Sequence, residues 1–136
     1  MLPLRKFTLH WLPLIAACLA LFIQSALPAS EKLSGLFSYD KLLHVAAYAV
    51  LAVLFFRAYR TLKFGHRIHR VAYLSGISSG LYGLSDEIHQ YFVPARSADP
   101  YDLLADILGG IFGAWICLMV MKRRGSASEK IHGLTR

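Results

Sequence analysis

A histidine and several carboxylates recur along this chain at helical spacing. Asp40, His44 and Tyr48 are spaced i, i+4, i+8 and so share one helix face, with Lys41 beside them. Glu87 and Gln90 stand at i, i+3, Asp102 and Asp106 at i, i+4, and Arg96 lies in the short segment between those pairs. Three kinds of chemistry suit such a set. An imidazole beside a carboxylate can move protons, which makes His44 a candidate general base and Glu87 or Asp106 its orienter or acid. Asp40, Lys41, His44, Tyr48, Glu87, Gln90, Arg96, Asp102 and Asp106 together can bind a polar ligand. In that reading Arg96 and Lys41 contact phosphate, and the acids orient a sugar, amine or peptide part. The third kind is a divalent ion held by Asp40, His44 and Asp106; otherwise neither a metal nor another cofactor is expected. No HExxH or GxSxG spacing supports a known catalytic design. Each residue also has a plainer role. Arg96 can pair with Glu87 or Asp102 to close a hairpin, His44 can be a neutral core histidine bonded to Asp106, and Lys41 can snorkel to headgroups. The convergence of so many polar groups favours a ligand pocket over stapling alone. Asp86 and His89 lie about a third of a turn from the main stripe and read as rim groups.

The elements that must position these residues are apolar. The chain has 136 residues, 56% of them hydrophobic, and a mean hydropathy of +0.46; soluble domains are about 45–50% apolar. Four apolar runs, at residues 8–27, 41–59, 71–92 and 101–121, approach the roughly 20 residues that a membrane-spanning helix needs. Helices satisfy their backbone groups internally, as lipid demands, and the runs lack the alternation of a β-barrel. The expected fold is therefore all-α, a four-helix transmembrane bundle forming a single domain. The first run reads as an uncleaved helix, because Pro28 sits where a signal-peptide cleavage site would want small residues. Cys18 and Cys117 fall inside apolar runs, as small buried residues rather than disulfide partners. Residues 28–39 are expected to include a partial surface helix, 93–100 a loop closed by Pro94 and Pro100, and 125–136 a loose polar end within the tail 122–136. Gly76, Gly80 and Gly83 on the third helix and Gly109, Gly110 and Gly113 on the fourth share stripes with the acids. Such stripes let helix backbones approach closely, within one subunit or between copies in a homo-oligomer, and turn the acids inward. Ser75, Ser78 and Ser79 make the third helix the least apolar and the most enclosed.

The formal net charge of +7 suggests nucleic acid, but its distribution argues against that partner. Arg5 and Lys6 precede the first run; Arg57, Arg60, Lys63, Arg67 and Arg70 follow the second, with His66 and His69 facing water; Lys122, Arg123, Arg124, Lys130 and Arg136 follow the fourth. With four spans these groups share one side, and the positive-inside rule puts both termini in the cytoplasm, N-in and C-in. The acids gather at the other side, which that rule does not explain. The expected partners are membrane lipids or a lipid-linked envelope precursor.

Asp40-Lys41-x-x-His44-x-x-x-Tyr48 resembles the opening motif of the VanZ-like membrane proteins. Gly83-Leu84-Ser85-Asp86-Glu87-Ile88-His89-Gln90, then Pro94-x-Arg96-Ser97, then Asp102-x-x-x-Asp106-x-x-Gly109-x-x-x-Gly113 resemble the rest of it, over roughly residues 38–118. The family often carries Asn where this chain has Asp106. The resemblance implies a multi-pass protein of the bacterial inner membrane, similar to an accessory protein that raises resistance to the glycopeptide teicoplanin. It supplies no reaction. The readings that compete are a headgroup-binding protein of the cell envelope, an intramembrane hydrolase or transferase using His44 with Glu87 or Asp106, and a transporter. Transport is disfavoured because the acids cluster at one end and no polar chain crosses to the other.

Overall fold

Proline, serine and charge break the apolar sequence where the chain turns, and the long runs between them wind into helices. The computed structural model describes residues 4–27, 37–94 and 96–134. It contains α1 (Leu4–Ala26), α2 (Phe37–Tyr59), α3 (Ile68–Phe92) and α4 (Pro100–Leu134), with no strand among the described residues. The partial helix expected within 28–39 falls largely outside the described residues; α2 takes in its end from Phe37.

Three stretches are long and apolar enough to cross a membrane: Leu4–Ala26, Asp40–Tyr59 and Pro100–Ala127. At 25 residues α3 is long enough as well, but its serines and acids lower its hydropathy. Those groups face inward: Ser75, Ser79, Asp86, Glu87 and Gln90 are all buried. Large apolar side chains instead cover the outside of the bundle, as on Leu19, Leu81, Leu108 and Ile111, where hydrocarbon would meet them.

Glycine decides how closely the helices pack. A methyl group at Gly109 would meet the Val45 carbonyl of α2, and one at Gly113 the Ala49 carbonyl. Close approach of α4 to α2 therefore requires glycine at both positions, and the stripe is used within the chain. Ser79 Oγ adds a bond to the Tyr48 carbonyl (2.9 Å), fixing α3 on α2.

α1 is attached differently. Pro13 lies inside it and cannot donate to the carbonyl of Leu9, which leaves that oxygen without its helical partner. Arg57 Nη2 of α2 donates to this carbonyl at 3.3 Å. Trp11 Nε1 donates to Thr61 Oγ1 (3.0 Å), and the Tyr82 hydroxyl of α3 to the Cys18 carbonyl (2.6 Å). Around these bonds Leu14 packs with Tyr48, Leu51 and Ala58.

The end of α4 departs from expectation. In place of a loose segment, the helix continues to Leu134. No proline interrupts 101–136, extending a formed helix is cheap, and Gly125 costs only about 1 kcal/mol.

Candidate functional site

The C-terminal ends of α1 and α3 meet the N-terminal ends of α2 and α4, and the acids collect there. Asp40 and His44 lie one turn apart on α2. His44 Nδ1 is 2.8 Å from Asp106 Oδ1 of α4. An ionised carboxylate only accepts, so with Asp106 ionised this bond puts a ring proton on Nδ1; in a singly protonated ring Nε2 is then an acceptor. Nε2 lies 3.9 Å from Asp102 Oδ2. Asp106 is fully buried. Its carboxylate packs against the Cα of Gly83, where an added Cβ would stand 2.7 Å from Asp106 Cβ and 2.8 Å from Oδ2.

Lys41 bridges Asp99 (Nζ to Oδ2, 2.6 Å) and Asp102. Asp99 also caps α4: its Oδ1 accepts from the Tyr101 N–H at 2.9 Å, with Pro100 at the first helical position, where no donor is needed. The Asp99 N–H donates to Glu87 Oε2 (2.9 Å). The Lys41 ammonium and the Tyr101 N–H hold the Asp99 carboxyl below the usual carboxylate range. Tyr48 donates to Asp86 Oδ2 at 3.3 Å, and Gln90 Nε2 reaches the same oxygen at 3.4 Å. Among the described residues, Glu87 Oε1 and Asp106 Oδ2 are buried with no hydrogen-bond partner.

Two cavities flank the cluster. One of about 290 Å³ is lined by Leu21, Gln24, Asp40, Leu43, His44, Ala47, Tyr48 and Asp86, between α1 and the polar face of α2. The other, of about 400 Å³, lies between the end of α3 and the start of α4, where Ile88, Tyr91, Phe92 and Leu103 supply an apolar lining beside Glu87 and Asp99.

The structure brings Asp40, Lys41, His44, Glu87, Asp102 and Asp106 together, while Tyr48 and Gln90 meet on Asp86, which lines the same cavity as Asp40 and His44. Arg96 is placed elsewhere. Its Nε and Nη2 donate to the carbonyls of Leu27 and Gln24, each at 2.7 Å, so it caps the end of α1 rather than pairing with Glu87 or Asp102. The Gln24 carbonyl also accepts the Leu27 N–H of the last turn at 3.2 Å, and a cation there suits the helix dipole. Asp86, expected at the rim, is buried and central. His89 lies in the seam with α1, its Nδ1 3.1 Å from Ser25 Oγ and its ring against Phe22. Among the described residues, one ligand atom from each of Asp40, His44 and Asp102 lies within 4.8 Å of the other two, while Asp106 stands behind the ring on Nδ1. Sequence reading also undervalued Asp99, although Asp-Pro at a helix start signals a capping residue.

A helix bundle with membrane-length apolar segments, and with buried carboxylates around one imidazole at a single end, defines a helical membrane protein with a polar intrabundle site. The family model of VanZ/LLP1 matches residues 6–121. The chain therefore belongs to the VanZ/LLP1 family, whose members are membrane proteins, and the match takes in α1, beyond the motifs at 38–118. No curated protein and no solved structure matches it.

Proposed function

We propose that this chain is a multi-pass protein of the bacterial inner membrane, with both termini in the cytoplasm. Its acid cluster receives the headgroup of a lipid or lipid-linked envelope precursor from the outer leaflet. One juxtaposition carries the reading: an acid-rich, partly buried cluster stands directly beside an apolar cavity of about 400 Å³, with Glu87 and Asp99 at their border. An amphiphile can place its polar end on the acids and its chain in the cavity. Arg96 is engaged on α1 and Lys41 on two carboxylates, so the acids are best matched by the amine or hydroxyl groups of the headgroup. Binding of an envelope precursor would also connect the protein to glycopeptide sensitivity.

The test is native purification followed by mass spectrometry of co-purified lipid. One lipid class should be enriched over bulk membrane, and Glu87→Gln should reduce that enrichment several-fold without loss of helicity. If wild type and variant carry only bulk lipid, the reading fails.

A second reading rests on the His44–Asp106 bond of 2.8 Å. A histidine oriented by a carboxylate is an acid/base pair, and His44 also lines a cavity. It favours a hydrolase or transferase acting on the same headgroup. Its mark would be a His44→Ala protein that still retains the lipid but fails in a complementation assay. Full complementation by that variant excludes the reading.

A further inference from the structure

His44 Nε2 and Asp102 Oδ2 face one another across 3.9 Å. That is too long for a hydrogen bond. It is less than the sum of two metal–ligand bonds of about 2.0–2.2 Å to one shared ion. When His44 carries its one proton on Nδ1 toward Asp106, the Nε2 lone pair and Asp102 Oδ2 face one gap, and a cation placed there would bind both. Asp40 stands one turn before His44 on the same helix, and one ligand atom from each of Asp40, His44 and Asp102 lies within 4.8 Å of the other two. Lys41 is on Asp102 Oδ1, so the opposite oxygen, Oδ2, is the one turned to the ring.

A second observation points the same way. Glu87 is 5% exposed, yet its Oε1 has no hydrogen-bond partner among the described residues; the other unpaired oxygen, Asp106 Oδ2, lies against Gly83 and belongs to the positioning carboxylate. Each belongs to a carboxylate already tied into the cluster by its other oxygen, Glu87 through the Asp99 N–H and Asp106 through His44. Asp40, Asp86, Glu87, Asp99, Asp102 and Asp106 all face this end of the bundle, against the ammonium of Lys41. Carboxyl groups outnumber cations here, and a cation among them lowers the cost of keeping the buried ones ionised.

We propose that Asp40, His44 Nε2 and Asp102 hold a divalent transition-metal ion of the zinc or manganese kind. A mixed set of imidazole and carboxylate suits those ions. Asp106 is the positioning residue that orients the ring from Nδ1, the role a carboxylate plays behind a metal-bound histidine. Three protein ligands leave a coordination position open toward the cavity that Asp40 and His44 line. There the ion takes a phosphate oxygen of the headgroup, a role that rests on the headgroup reading above. The ion thereby supplies the positive charge that Arg96, turned to α1, does not.

Full-length protein in detergent, stripped with chelator and dialysed, is titrated with zinc chloride and separately with manganese chloride. Bound metal is measured by calorimetry and elemental analysis. The expected result is one ion per chain. Asp40→Asn and Asp102→Asn should weaken it about tenfold or more, as should Asp106→Asn through the ring, whereas Ser25→Ala binds like wild type. Helicity is followed by circular dichroism, so that a misfolded variant is not scored. Nitrogen-15 spectra of the histidines should show Nε2 of His44 shifting on zinc addition, with Nδ1 still protonated. A folded wild type that binds neither ion, or a His44 ring protonated on both nitrogens and unmoved by zinc, overturns the proposal. The lipid assay is read separately: enriched lipid without metal binding defeats the ion alone, and metal binding without enriched lipid defeats the headgroup alone.

Discussion

Asp99 joins three elements through one residue: it caps α4, donates its N–H to Glu87 and receives Lys41. Its carboxyl is held below its ordinary value of 3.8, first by Lys41. A depressed carboxyl contributes stability that is present at neutral pH and lost as pH falls through the lowered folded-state value. Thermal unfolding of wild type and Asp99→Asn in detergent should therefore differ most near pH 7, and the difference should narrow below about pH 4. The group is part-exposed, so the gap will be modest; a gap that stays constant into strong acid contradicts this account. At this scale the sequence disclosed the acids that share a helix face with His44, because periodicity alone sets that geometry. It did not disclose Asp86 as the partner of Tyr48, since relative helix rotation is a packing outcome. The partners of Arg96 were equally hidden, because a long side chain in a loop can reach in several directions.

Among the elements, the α2–α4 contact depends on positions where a side chain has no room. Gly113→Ala would press a methyl group onto the Ala49 carbonyl, and backbone on backbone cannot yield cheaply. A loss of about 1–3 kcal/mol is expected, read as a lowered unfolding temperature with lipid retention kept in the folded fraction. Gly83→Ala meets the Asp106 side chain instead. The nearest atom is Asp106 Cβ at 2.7 Å, which side-chain rotation cannot move, so α3 and α4 must part there and the carboxylate is displaced from His44. Stability should fall about as much as at Gly113, and function in complementation should fall further. Equal damage to both properties in both variants would show that the two glycines do one job. The glycine stripes were legible as close-approach surfaces; that each serves an intramolecular seam required the packed helices. The serines on α3 announced an enclosed helix, and the same serines keep it from being as apolar as its three companions.

For the whole molecule, Asp40, Asp86, Glu87, Asp99, Asp102 and Asp106 sit at one end of the bundle and Arg57, Arg60, Lys63, Arg67 and Arg70 at the other. In the proposed orientation a reporter fused after Arg136 is active in the cytoplasm and one inserted near residue 97 is active outside. Exchanged activities would reverse the direction in which the site opens. The helical class and the number of helices followed from the spacing of apolar runs, because a bilayer restricts what a greasy chain can become. The reach of α4 beyond 121 did not follow, since polar helix formers after a span read equally well as coil.

The cap that Arg96 places on α1 has a mechanical consequence. The short stretch from Arg96 to Asp99 grips the last carbonyls of α1 at its start and, through Lys41, the head of α2 at its finish. It works as a clasp across the two helices that wall the smaller cavity. Parting those two helix ends requires one of the two grips to open, so a stretch that does not line the cavity ties its two walls together.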